Sequence, residues 1–254
     1  MILALVNNKG GVAKTTTAVN LAAGLARKKK SVLLVDLDSQ GSASLALGIP
    51  RSELMPSAAD VLLHGEPIKT AIRNVAEGLD LLTGSMELAN ADLALADETG
   101  RERRLSDALK PIRSAYDIIL LDCPPSLSML PINALYAADG FIVPVEPQYL
   151  ALEGLVNLTE AVERMREGMN IKASLVGLVL TKVDYRTKAT TEIVDLIRGH
   201  YKRQVFKAEI RINTRLAEAP SFGQSIFDYD PTATGAAAYA DLTEELLKRM
   251  AVRK

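Results

Sequence analysis

Asn7-Asn8-Lys9-Gly10-Gly11-Val12-Ala13-Lys14-Thr15-Thr16-Thr17 holds the densest chemistry in the chain, between an apolar run, Ile2–Val6, and an Ala- and Leu-rich stretch. Glycines let a backbone turn tightly and aim its N–H groups inward. The N-terminus of a following helix adds partial positive charge, so the loop suits an anion. Lys14 can reach β- and γ-phosphates, Thr15 offers a hydroxyl to Mg²⁺, and Thr16 is a second donor. The expected nucleotide-binding residues here are Gly10, Gly11, Val12, Ala13, Lys14, Thr15 and Thr16, with Lys9 at the head of the loop. The loop is not a strict G-x-x-x-x-G-K-[ST], because Asn8 and Ala13 stand at its glycine positions. A methyl at residue 13 is accommodated if φ and ψ there are near-helical.

Carboxylates follow at strand ends. Asp122 closes the apolar run Ile118–Asp122. The carboxyl ends of strands are where open α/β sheets bind ligands, and a carboxylate there can hold Mg²⁺ through water. A helix N-cap is its plain alternative. Asp36 and Asp38 end and follow the run Val32–Asp36.

The elements that must carry these groups read as alternating strands and helices. Predicted strands are Ile2–Val6, Val32–Asp36, Leu79–Thr83, Ile118–Asp122, Phe141–Val145, Leu175–Thr181 and Val205–Ile210. Several lack polar alternation, as strands buried on both faces do. Predicted helices are Thr15–Lys29, Arg104–Ile112, Leu152–Arg166, Thr190–Tyr201 and Thr234–Met250. The alternation predicts an α/β fold with a doubly wound, mostly parallel sheet and helices on both faces. No linker or repeat interrupts residues 1–254, so one domain is expected, with short helices at the periphery in 49–104.

Composition narrows the classes. The 254 residues are 48% hydrophobic and 24% charged, with a net charge of −1, as in ordinary globular proteins. One cysteine and two histidines, His64 and His200, argue against a thiolate or histidine metal site. No apolar run is long enough to span a bilayer, and no signal peptide is legible, so a cytoplasmic setting is expected.

The loop matches the deviant form K-G-G-x-x-K-T and resembles the ParA/MinD family of P-loop ATPases. The resemblance continues in Val35-Asp36-Leu37-Asp38-Ser39-Gln40-Gly41, in Ile119–Ser126, and in Leu216-Ala217-Glu218-Ala219-Pro220-Ser221. It therefore covers the whole chain and implies ATP and Mg²⁺ as cofactors. It implies that Asp38 is the switch residue orienting the attacking water. Asp36 then supports the Mg²⁺ shell with Thr15, Asp38 and Asp122. Lys9 would cross to the ATP of a partner subunit, favouring an ATP-bound homodimer, as a finger supplied in trans does. Catalysis would rest on Lys14, Asp38 and Lys9. Ser39 stands where the family usually has Pro, which frees φ and loosens the switch. Thr181-Lys182-Val183-Asp184 differs from the guanine-reading N-K-x-D, and adenine is expected.

Charge is uneven. Residues 182–215 hold nine basic and four acidic residues. Such a stretch suits phosphate contacts without base reading, although a solvated face is the bland alternative. The resemblance to ParA proteins implies binding of nonspecific double-stranded DNA as ATP dimers, and Arg215 matches the position of a DNA-binding arginine there. Arg186, Lys188 and Arg211 are further candidates. No helix-turn-helix precedes Met1, so operator reading is not expected. The resemblance implies a nucleoid-associated ATPase that partitions a chromosome origin or plasmid with a ParB-like protein. Alternatives are positioning of a protein cargo, such as a carboxysome or chemotaxis cluster, through an adaptor, or a MinD-like membrane ATPase. The last requires a bulky amphipathic C-terminal helix. The tail 241–254 lacks Phe and Trp, and Leu242, Leu246 and Met250 are expected to pack on the domain. A metabolic P-loop enzyme is a fourth class, without a visible substrate pocket.

Overall fold

The computed structural model describes residues 1–252; Arg253 and Lys254, the end of the tail 241–254, lie outside the described residues. Among the described residues, one sheet has eight strands. They are β1 (Ile2–Leu5), β2 (Val32–Asp36), β3 (Ile72–Ala76), β4 (Leu79–Leu82), β5 (Ile118–Asp122), β6 (Gly140–Val145), β7 (Ser174–Val183) and β8 (Val205–Arg211). Their order is β3-β4-β2-β5-β1-β6-β7-β8, and every pairing is parallel except β3 with β4.

The apolar strands sort by alternation onto two cores. Ile2, Ala4, Leu33 and Val35 face one layer, and Leu3, Leu5, Val32 and Leu34 face the other. On the second face lie α1 (Lys14–Arg27) and the C-terminal helix Thr234–Val252. The first face carries the helices Met129–Ala137, Ala151–Met169 and Lys188–Tyr201. Leu242 and Leu246 are fully buried and Met250 nearly so, so the apolar stripe of the C-terminal helix is spent on the sheet.

Short helices at Ser42–Ala46, Thr214–Glu218 and Ile226–Tyr229 add to those expected, and two further elements differ from the sequence reading. The segment 49–104 contains the antiparallel edge strand β3 beside its short helices. It is short and half-exposed, so its polar and apolar residues mix as in a loop. Met129–Ala137 is a helix whose sequence, MLPINALYA, is apolar on nearly all sides and carries no 3.6-residue period. The register places the chemistry: β1, β2 and β5 are adjacent, Asp36 pairs with Asp122, and Leu5 pairs with Asp122. Both carboxylates therefore arrive at the sheet end where β1 runs into the glycine loop.

Candidate nucleotide site

A cleft of about 430 Å³ opens at these C-terminal strand ends. Gly10, Gly11, Ala13, Lys14, Thr15 and Thr16 line it, opposite Asp38, Pro125, Lys182 and Pro220. Lys9 and Val12 do not. Val12 is buried in the core, so only its backbone can serve a ligand, and Lys9 is exposed.

The loop is braced from three sides. Asn7 Nδ2 donates to the Pro144 carbonyl at 2.8 Å, and Asn7 Oδ1 accepts from Lys9 N at 3.0 Å. Thr181 Oγ1 donates to the Val12 carbonyl at 3.0 Å. Asn20 donates to the Thr16 carbonyl at 2.8 Å and accepts from Ile226 N at 2.8 Å. Gly11 has φ +75°. Ala13 has φ 60° and ψ 35°, in the left-handed region. This corrects the expectation of near-helical angles: a residue with a Cβ is held where its methyl crowds the carbonyl.

Lys14 is buried, and its Nζ donates to the Lys9 carbonyl at 2.9 Å. Burial lowers its pKa, against the opposing pull of Asp122, Cys123 and Asp38. Asp122 is wholly buried, and neither carboxylate oxygen has a well-formed hydrogen bond, although the Thr15 hydroxyl lies close enough to act on it. Its pKa is pushed well up, first by burial and then by the charge of Asp36; the Thr15 hydroxyl, the Lys14 ammonium and Asp38 act more weakly, Asp38 alone of them raising it. A buried carboxylate without partners is costly and fits a cation or its water shell. The donor set of Thr15 hydroxyl and carboxylate oxygens is of the hard type Mg²⁺ takes.

Asp36 differs from Asp122. Its Oδ1 accepts from Asp38 N at 3.1 Å, and its Oδ2 accepts from Ser44 N at 2.9 Å and Ser44 Oγ at 2.7 Å. Burial raises its pKa to about 6, against the hydrogen bonds from Ser44 and Asp38. It therefore ties the Asp38 loop to α2 (Ser42–Ala46). Asp38 Oδ1 accepts from Gln40 N at 3.0 Å, closing a turn over Ser39.

Several residues escaped the sequence reading. Ser44 Oγ accepts from Gly84 N at 3.0 Å, and a Cβ on Gly84 would meet the Asp38 carbonyl at 2.6 Å. Thr181 braces the phosphate loop, and Gln224 lines the cleft. Thr181 stands in a motif that the sequence offers for base choice rather than for the loop, and Gly84 follows an apolar run as many strand-end glycines do.

The DNA candidates lie near the same sheet end. Arg211 ends β8 and stands 5.3 Å over the Tyr185 ring, while Arg186 forks Asp184 at 2.8 and 2.6 Å. Lys188 opens its helix, exposed. Arg215 pairs with Glu218 at 2.9 Å and Asp230 at 3.5 Å. The basic stretch is not one face. Lys202 and Arg203 precede β8, at the opposite end from Arg211, and Arg198 is paired with Glu209 at 2.6 Å.

A parallel sheet with a glycine loop leaving its central strand and acidic groups on the neighbouring strands defines a P-loop nucleoside-triphosphatase fold. Residues 1–175 match a family model described as an AAA domain. The chromosome partitioning protein ParA of Myxococcus xanthus is 41% identical over 98% of this chain and 88% of its own. The chromosome-partitioning ATPase Soj of Thermus thermophilus is 46% identical over 98% and 96%. The crystal structure of cobyrinic acid a,c-diamide synthase from Mycobacterium smegmatis, with bound ATP analogue and magnesium, superposes with a TM-score of 0.86. It is 31% identical, over 100% of this chain and 96% of that one. The chain belongs to the ParA/MinD family of P-loop ATPases, among the ParA and Soj partition proteins.

Proposed function

We propose that this chain is a single-domain partition switch. It binds ATP and Mg²⁺, closes into a homodimer around two ATP molecules, holds nonspecific double-stranded DNA in that state, and releases it after hydrolysis. The observation that carries this reading is the divergence of two lysines from one loop. Lys14 is buried in the cleft, while Lys9 stands exposed outside it. One chain thus neutralises its own phosphates with Lys14 and keeps the charge of Lys9, which no carboxylate among the described residues pairs, for another's.

Mg²⁺, when bound, neutralises charge on the terminal phosphates. Thr15 and Asp122 would hold it. Loop N–H groups and Lys14 cradle the phosphates, and Asp38, fixed through Asp36, orients the attacking water. Hydrolysis removes the γ-phosphate that Lys9 of the second copy would bind, and the dimer separates. Dimerisation doubles the surface of Arg186, Lys188, Arg211 and Arg215. DNA affinity climbs steeply with the number of phosphates contacted, so ATP switches binding on.

A ParB-like protein or a cargo adaptor would trigger hydrolysis, with the protein distributed over the nucleoid in the cytoplasm. Partition of a chromosome origin or plasmid is favoured because the relatives are named for partitioning. The buried stripe of Leu242, Leu246 and Met250 disfavours a MinD-like membrane anchor. A DNA-binding titration without nucleotide, with ADP and with ATP tests the proposal. Retention by ATP alone, lost as salt rises, is expected; equal binding in all three states contradicts it.

A further inference from the structure

We infer that Gln148 is a positioning residue for Lys9, holding its ammonium outside the chain's own cleft and presenting it to a second copy. The inference rests on the dimer reading above. Lys9 Nζ donates to Gln148 Oε1 at 2.7 Å. The other end of the same amide donates to Glu146 Oε1. Glu146 Oε2 in turn lies 3.7 Å from Lys182 Nζ. Lys182 lines the cleft; Lys9 does not.

The bracket therefore runs from the cleft wall to the loop head. At Lys9 it meets a backbone already fixed from the other side, because the Lys9 carbonyl accepts from Lys14 Nζ. The backbone is conformationally held at the Lys182 end and just past Gln148. Lys182 has φ 51° and Leu150, two residues past Gln148, has φ 70°. Left-handed angles at such side chains persist only where the surroundings fix them.

The chemistry of the acceptor matters. A neutral amide orders the lysine without cancelling its charge, so the ammonium stays available to a phosphate. A carboxylate in the same place would quench it as an ion pair. Restricting a long flexible side chain before association removes part of the ordering cost from the binding step.

The test is a double-mutant cycle in the Asp38→Ala background. Dimer dissociation constants are read by sedimentation with ATP and Mg²⁺. Gln148→Ala is expected to weaken the dimer roughly three- to tenfold, the worth of one ordered side chain. Gln148→Glu weakens it too, while ADP affinity of the single chain stays unchanged in both. With Lys9→Ala already present, Gln148→Ala adds nothing. An equal loss with and without Lys9 overturns the assignment, and so does an unchanged or tighter Gln148→Ala dimer. If the Lys9→Ala dimer is too weak to measure, amine labelling of Lys9 in the ADP-bound single chain decides. Its rate rises in Gln148→Ala while that of Lys14 does not; an unchanged rate overturns the assignment. If the Asp38→Ala parent itself stays single with ATP, the dimer reading falls and the assignment with it.

Discussion

At Ala13 the loop asks an L-residue to occupy φ 60°. That conformation costs roughly 1–2 kcal/mol, partly offset because glycine loses more entropy on folding. Ala13→Gly is therefore expected to stabilise the nucleotide-free protein by about 1 kcal/mol, a rise of roughly 2–4 °C in Tm. Calorimetry checks this, and a lower Tm counts against strain at the loop. Asp122 has the opposite character, a buried carboxylate with no well-formed hydrogen bond. Asp122→Asn should raise the nucleotide-free Tm by a few degrees while cutting Mg²⁺-dependent hydrolysis roughly 10- to 100-fold. The pH dependence has a definite sign. The folded pKa of Asp36 is raised from 3.8 to about 6, and burial pushes that of Asp122 well up too. Above the unfolded value the folded chain keeps protons that the unfolded chain has released, so stability falls as pH rises toward the folded values. The gain of Asp122→Asn over wild type should thus be larger at pH 7.5 than at pH 5. Equal gains at both would remove the buried charge as the cause.

Among the elements, β2, β4 and α2 meet at one crowded point. Ser44 links the Asp36 carboxylate to Gly84 N, and the Gly84 Cα faces the Asp38 carbonyl. Gly84→Ala would drive a methyl into that carbonyl. It should cost about 1–3 kcal/mol and slow hydrolysis by displacing Asp38, with nucleotide affinity less affected. Melting and single-turnover rates check it; wild-type values in both would mean the loop yields freely. This point marks the boundary of what the sequence made legible. The phosphate loop was readable because its glycines, lysines and threonines are contiguous and their chemistry is local. The Asp36–Ser44–Gly84 link was not, since Gly84 lies 40 positions from Ser44 and an apolar run ending in Thr-Gly looks like any strand end. The helix Met129–Ala137 was lost for a related reason: burial on several sides erases the period that would reveal it. Strand β3 was lost because a half-exposed edge strand reads as loop.

For the whole molecule, summing charge along 182–215 hid its geometry. Much of that charge is paired, and strand β8 divides what remains between two ends of the sheet. The doubly wound sheet, by contrast, was legible from its unbroken apolar strands. Its topology sets Lys14, Asp38 and Asp122 at one end, with Lys9 projecting beyond them. On the proposed function, a second copy completes this end only while the γ-phosphate is intact. Sedimentation of Asp38→Ala with Mg²⁺ and either ATP or ADP measures that directly. A two-chain species with ATP and single chains with ADP is the predicted result. Single chains in both, at saturating nucleotide, would contradict the account.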